Sequence, residues 1–259
     1  MTVVVIGAAG DLGRRIIAGL RAQGDDVRGL GRRPVDGCTV ADLSDPASLD
    51  VAFEGARRVF IQSSPVQDQV ALETNAIEAA ERAGVERVVK LSNIPIAGLD
   101  TGLHGNHRAI ERRLDASPLF VTVLQPSFFA SVIEKQRDMI DRGLFVMPTG
   151  DGKIAWIDAA DIAAVAVEAL VRDDLLGPLH ITGPEALSAA DVAARLGVKW
   201  VAPPINEWRD AVVAGGLDPW LVDATVHLYE AVARGALADV TDVVPRVLGR
   251  PATRVFVDG

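Results

Sequence analysis

The chain has 259 residues, 49% of them hydrophobic and 24% charged, with a net charge of −9. That length supports one large core, or one core with a smaller lobe beside it. The acidic balance argues against a nucleic-acid partner, and the single cysteine, Cys38, excludes a disulfide framework and a thiolate metal site.

Residues 2–6 are too short an apolar run for a secretory leader. The longest apolar stretch, residues 162–171, is broken by Glu168 and is about half the length a membrane span requires. A cytoplasmic protein without a membrane partner is expected, acting on a small molecule as a monomer or homodimer.

Residues 2–6 are mostly β-branched and predict a first strand. The chain then turns through Gly7-Ala8-Ala9-Gly10-Asp11-Leu12-Gly13, after which Leu12, Ile16, Ile17 and Leu20 recur at helical spacing. A second apolar run, residues 27–30, ends in Gly31-Arg32-Arg33-Pro34. Strand, glycine turn, helix and strand within ~30 residues is the order of a dinucleotide-binding βαβ unit. Gly7 permits the tight turn, Gly10 lets backbone approach a pyrophosphate with a positive φ allowed there, and Gly13 lets helix and sheet pack closely. The N-terminus of the helix near Asp11 then supplies N–H groups and a positive dipole end to phosphate.

Further strands are predicted over residues 38–40, 58–61, 87–91 and 120–125. Helices are predicted after Pro46, over residues 66–83 and over residues 104–116. This alternation predicts an α/β fold, a doubly wound parallel Rossmann sheet of order 3-2-1-4-5-6, with ligand across the carboxyl ends of the strands. Residues 131–142 read as a helix, residues 143–152 as a loop and residues 154–157 as extended. Residues 158–171 read as a helix with acids in its first turn, and residues 179–181 as a seventh strand returning to the sheet. The remainder reads as mostly helical. The expected domains are a Rossmann lobe, 1–127, and a smaller substrate-side lobe, 128–259.

An acid at the end of the second strand would bind the ribose of NAD(H); this chain has Gly31-Arg32-Arg33 there. Two guanidiniums suit a 2′-phosphate, so NADP(H) is expected, with NAD(H) as second choice. The Tyr-x-x-x-Lys pair of many short-chain dehydrogenases is ruled out by inventory, because the one tyrosine, Tyr229, has Ala233 four residues on. His107 and Glu111 share one face of the helix that would carry the pair, and His107 is the candidate proton donor. His104 and His107 have no third ligand at helpful spacing, so no metal is expected. Lys90 and Ser92 alternate onto one side of their strand, which makes Lys90 a minor candidate. Phe128, Phe129, Met147 and Trp156 are candidates for an apolar acceptor pocket.

The glycine turn, Val-Phe-Ile-Gln-Ser-Ser-Pro over 59–65, residues 75–91, His107-x-x-x-Glu111 and Leu-Gln-Pro-Ser-Phe-Phe over 124–129 resemble the NmrA-like family of atypical short-chain dehydrogenases. The likeness continues through Gly150-Asp151-Gly152, Asp158, Asp161, residues 181–184, Trp208, Tyr229 and Gly249-Arg250-Pro251. Members of this family include quinone reductases and triphenylmethane reductases, and also non-catalytic NADP(H)-binding redox sensors. The resemblance implies phosphate contacts at Gly7, Ala9, Gly10, Asp11, Leu12 and Gly13, and a 2′-phosphate on Arg32 and Arg33. It places Asp42 and Leu43 beside adenine, Ser63, Ser64 and Pro65 on the ribose side, and Ser92 and Pro126 beside nicotinamide. The implied activity is hydride transfer from NADPH to a quinone-like or other planar conjugated acceptor; the alternative is the regulator. Two positions depart from the pattern: Asp11 stands where relatives often carry an amide, and Gln125 where they commonly carry Arg.

Overall fold

The computed structural model describes residues 1–33 and 38–256. From the N-terminus run β1 (Thr2–Ile6), α1 (Asp11–Ala22), β2 (Asp26–Gly31), β3 (Cys38–Val40), α2 (Pro46–Phe53), β4 (Arg58–Ile61), α3 (Gln69–Arg82), β5 (Arg87–Leu91), α4 (Gly102–Asp115) and β6 (Phe120–Pro126). Two 3-10 turns precede α5 (Arg137–Asp141), β7 (Leu144–Val146), β8 (Lys153–Ile154), α6 (Ala159–Val171) and β9 (Gly177–Ile181). The chain continues through β10 (Leu187–Ser188), α7 (Ala189–Arg195), β11 (Lys199–Val201), α8 (Ile205–Ala214), α9 (Pro219–Ala233) and α10 (Val243–Leu248).

The main sheet has seven strands in the order β3-β2-β1-β4-β5-β6-β9. The pairings from β3 across to β6 are parallel, with Val3 opposite Val27 on one side and Arg58 on the other. Val3, Val4 and Val5 are wholly buried, as a strand covered on both faces requires. β9 is the expected seventh strand.

Contacts divide the chain into two units, which interleave along the sequence. One comprises Met1–Asn93, Asn106–Gln125 and Ala160–Leu179; its core packs Phe53, Ile61, Ile77, Ile110 and Leu114. The other comprises Ile94–Gly105, Pro126–Ala159 and the residues from His180 onward, and packs Phe145, Trp156, Val192, Tyr229 and Val232.

Residues 131–142 do not form one helix. Ala130 donates its N–H to the Ile157 carbonyl at 3.0 Å, holding the chain extended to that point, and the Gln136 Oε1 accepts from the Val146 N–H at 3.0 Å. α-Helix is left at Arg137–Asp141, after 3-10 turns at Ala130–Val132 and Glu134–Gln136. Part of the expected loop at 143–152 is β7, which pairs in parallel with β11, Leu144 opposite Lys199. α3 starts at Gln69 rather than at 66, because the Gln69 N–H closes a turn onto the Val66 carbonyl at 3.2 Å.

Candidate functional site

The turn from β1 to α1 is built around the Gly7 carbonyl. It accepts the Gly10 N–H at 3.0 Å and the Gln62 side-chain amide at 3.3 Å. Gly7 has φ +78°, and a Cβ there would lie 2.5 Å from the Gln62 Nε2; a Cβ at Gly13 would lie 2.3 Å from the Gly7 oxygen. Helix and turn therefore touch at backbone distance, which only glycine allows. Gly10 has φ −74° and caps α1 from an extended conformation, so the positive φ entertained for it is not used.

The N-cap of α1 is Gly10, which has no side chain to cap the helix. Ala9, Gly10 and Asp11 are exposed while Leu12 is buried, so Leu12 has only its backbone to offer at this end. An uncapped helix N-terminus behind an exposed glycine fits a pyrophosphate. Asp11 pairs with Arg15 at 2.8 Å, one turn along the helix, which offsets the repulsion its charge would exert on a phosphate at this turn.

Arg32 and Arg33 are exposed at the end of β2. Close by, the Asp42 carboxyl is held below the usual carboxylate range by the Ser44 backbone N–H and hydroxyl, with a further contribution from Arg32. Both Ser44 bonds are 2.8 Å. The Leu43 carbonyl accepts the Asn75 side-chain amide at 2.8 Å, fixing the loop after β3.

At the end of β4, Ser64 and Pro65 are exposed, and the Ser63 hydroxyl donates to the Glu73 Oε1 at 2.8 Å. Glu73 also takes the Gln69 amide at 3.2 Å and the Lys90 Nζ at 2.9 Å, and neither the Glu73 nor the Lys90 side chain reaches solvent. Lys90 therefore lies inside the fold, committed to Glu73 and to the Leu91 carbonyl.

Ser92 follows β5 and donates to the Glu111 Oε1 at 2.5 Å. The same oxygen accepts the Gln125 amide at 2.9 Å, and the Glu111 Oε2 lies 2.6 Å from the Arg108 Nη1. His107, beside Arg108 on α4, is 9% exposed and His104 is 6% exposed. Among the described residues no group of three His, Cys, Asp or Glu side chains could hold a metal ion.

In the second unit, the Pro126 carbonyl accepts the Ile94 N–H at 3.1 Å. Phe128 and Phe129 are half-buried. Phe128 stands edge-on to Trp156, centroids 5.3 Å apart, and Trp156 donates to the Leu187 carbonyl at 3.2 Å. Trp156 is 2% exposed and Met147 is fully buried, so both lie in that unit's core. Tyr229 packs between Phe128 and Trp208, at 6.3 and 5.0 Å, and burial pushes its phenol up to about 12.

A model of the NAD(P)H-binding family matches residues 7–173, which span the glycine turn, both arginines and the Ser92 cluster. The chain belongs to this NAD(P)H-binding family. It is 34% identical to an NAD(P)H azoreductase of Xenophilus azovorans, over 99% of this chain and 96% of that protein. The solved NADPH-dependent quinone oxidoreductase from Escherichia coli, complexed with NADPH, is 26% identical with a TM-score of 0.87, covering 97% of this chain and 96% of that one. A Citrobacter sp. triphenylmethane reductase complexed with NADP(H) shares the fold, with 20% identity, a TM-score of 0.85, and 98% and 97% of the two chains covered. These likenesses accord with the NmrA-like resemblance read from the motifs.

Four residues at this edge of the NAD(P)H-binding sheet were given no individual role by the sequence reading: Gln62, Glu73, Asn75 and Arg108. Gln62 had a signal, since it stands between a strand end and the Ser63–Pro65 turn. The other three lie on helices, where a surface-facing polar residue looks the same in sequence whether it is solvated or turned to a loop.

Proposed function

We propose that this protein is an NADPH-dependent reductase that delivers hydride to a quinone-like or other planar conjugated acceptor. The observation that carries the reading is the uncapped, glycine-walled N-terminus of α1 followed by two exposed arginines at the end of β2. Relatives named as azoreductase and quinone oxidoreductase align over nearly the whole chain, which supports the planar acceptor.

When bound, NADPH supplies the hydride. The backbone of Gly7, Ala9, Gly10, Asp11, Leu12 and Gly13 holds the phosphates, and Arg32 and Arg33 take the 2′-phosphate and select NADPH over NADH. Asp42 and Leu43 flank adenine, Ser63, Ser64 and Pro65 the ribose, and Ser92 and Pro126 the nicotinamide. Phe128 and Phe129 meet the acceptor, and Trp156 supports the Phe128 ring from behind. A quinone that gains a hydride needs one proton to become the hydroquinone, and His107 supplies it. No Tyr-Lys pair takes part. The proposed reductase is cytoplasmic and works as a monomer or homodimer, without a nucleic-acid or membrane partner; no described helix is long and apolar enough to cross a membrane.

The test is loss of NADPH absorbance over a panel of quinones, azo dyes, triphenylmethane dyes and enones, alongside titrations with NADPH and NADP⁺. Turnover in the range of roughly 1–10³ s⁻¹ supports the reductase. No turnover on the panel, with tight preference for one redox form, replaces it with a redox-sensing regulator, since only differential affinity can bias a partner-binding state.

A further inference from the structure

The Arg108–Glu111 pair, with side chains 15% and 14% exposed, is aimed at the loop that leaves β5. The Arg108 Nη2 donates to the Ser92 Oγ at 3.0 Å, to the Asn93 carbonyl at 2.7 Å and to the Asn93 Oδ1 at 2.9 Å. The Ser92 hydroxyl in turn donates to Glu111 at 2.5 Å. A serine hydroxyl has one proton and two lone pairs. Here the proton goes to a carboxylate and one lone pair takes a guanidinium, so the second lone pair is what the oxygen has left.

The guanidinium stays charged at every pH the protein meets and has no lone pair to accept with. The direction of the Ser92 O–H is therefore set by its two partners and not by the ligand. A serine held this way can accept a hydrogen bond; it cannot donate one to a substrate carbonyl without breaking a charge-assisted bond worth more than a neutral one. Ser92 is only 5% exposed, so bulk water competes little for that lone pair.

We propose that Arg108 and Glu111 are positioning residues that lock the Ser92 hydroxyl as a hydrogen-bond acceptor for an N–H donor of the ligand, the carboxamide of the nicotinamide ring. This rests on the reductase reading above and names what recognises that end of the dinucleotide. An amide N–H meets the lone pair productively. A methyl ketone in its place presents no donor and leaves the serine oxygen unpaired.

The experiment compares binding of NADPH with that of its reduced 3-acetylpyridine analogue, in which a methyl ketone replaces the carboxamide, by fluorescence titration without acceptor. The parent protein is expected to favour NADPH by about five- to tenfold, the value of one neutral hydrogen bond. Ser92→Ala should bring the ratio near one. Glu111→Gln should lower or invert it, because the new amide can donate to the Ser92 oxygen and release the serine proton toward the ligand. The Ser92→Ala, Glu111→Gln double variant should match Ser92→Ala alone, as residues acting through one hydroxyl must. Melting curves check that each variant folds, and Arg108→Lys, also expected to lower the ratio, replaces Glu111→Gln if that variant does not. A ratio unchanged by Ser92→Ala, or losses that multiply in the double variant, overturn the proposal. A parent that binds NADPH without discriminating the analogue overturns it while leaving the reductase reading intact, and a parent that binds neither overturns that reading itself.

Discussion

Lys90 on β5 and Glu73 on α3 form an ion pair of 2.9 Å in which neither side chain reaches water, and the free side of the carboxylate holds the Ser63 hydroxyl at 2.8 Å. A strand, a helix and the loop after β4 are thus joined through one carboxylate. Removing one partner of a buried pair leaves a charge with no solvent, which typically costs about 3–5 kcal/mol, whereas replacing both with apolar groups is often neutral. Lys90→Met should therefore lower unfolding stability by an amount in that range. The Lys90→Met, Glu73→Met double variant should recover most of it while losing affinity for dinucleotide, because Ser63 is then unheld. Denaturant unfolding beside NADPH titration checks both; a double variant as unstable as the single would show that the pair stabilises the fold beyond cancelling its own charges.

The glycine turn separates packing from binding. A Cβ at Gly13 would sit 2.3 Å from the Gly7 oxygen, while one at Gly10 would press on the same atom at 3.3 Å, which a shift of a few tenths of an ångström relieves. Gly13→Ala should lower the melting temperature measurably, since backbone has to shift. Gly10→Val should fold and lose dinucleotide binding, because the branched side chain stands where phosphate approaches, and φ −74° is open to valine. Circular dichroism melting and NADPH fluorescence test the split. A Gly10→Val protein that binds normally would mean the phosphates lie elsewhere.

Arg32 and Arg33 are exposed, so their removal tests binding more than folding. A charge-assisted phosphate contact is worth about 1.5–3 kcal/mol. Arg32→Ala or Arg33→Ala should each reduce the preference for NADPH over NADH at least tenfold, leaving NADH affinity nearly unchanged. Calorimetric titration with the two dinucleotides reads this directly, and equal affinities in the parent would refute the assignment.

What was legible in the sequence follows from how local the cause is. Gly7, Gly10 and Gly13 act within one turn, and the β-branched run before them announces a buried strand, so the opening βαβ unit and the strand order could be read from the residues. Gly10 shows the limit: its place at the pyrophosphate turn was read, and its φ was not. β7 and β11 are three-residue strands that pair with each other across a long separation, with no period for a sequence to display. Lys90 was read only as a minor site candidate on the same side of its strand as Ser92; its partner Glu73 lies on another element, and only the fold brings them to 2.9 Å. The same holds for Arg108, whose targets Ser92 and Asn93 lie on the far side of a loop.

Tyr229 is the chain's one tyrosine, and burial raises its phenol from the ordinary 10.0 to about 12. The neutral form is favoured in the fold, so the unfolded chain ionises first as pH rises. Tyr229 therefore costs nothing below pH 10, and stability falls as pH climbs from about 10 toward 12, by roughly 2–3 kcal/mol in all. The phenolate absorbance of the folded protein should titrate near 12 and that of the denatured protein near 10. Tyr229→Phe should flatten the alkaline decline in stability, and an unaltered decline would assign it to other groups.

His107 is the group proposed to give a proton to the reduced acceptor. It is 9% exposed on α4, next to Arg108, at the helix where many short-chain dehydrogenases carry a tyrosine. General acid catalysis by a positioned side chain typically contributes 10²–10⁴-fold. If His107 is the donor, His107→Ala should lower kcat with a quinone acceptor by up to about that factor, while NADPH affinity stays within error of the parent. Acceptors that need no proton to complete their reduction, such as cationic triphenylmethane dyes, should be spared, because hydride alone neutralises them. Added imidazole should restore part of the quinone rate and leave the dye rate unchanged. The contrast between acceptor classes is what a merely structural histidine would not produce. A His107→Ala protein that loses both activities in proportion, or neither, would remove His107 from the reaction and leave proton delivery to solvent.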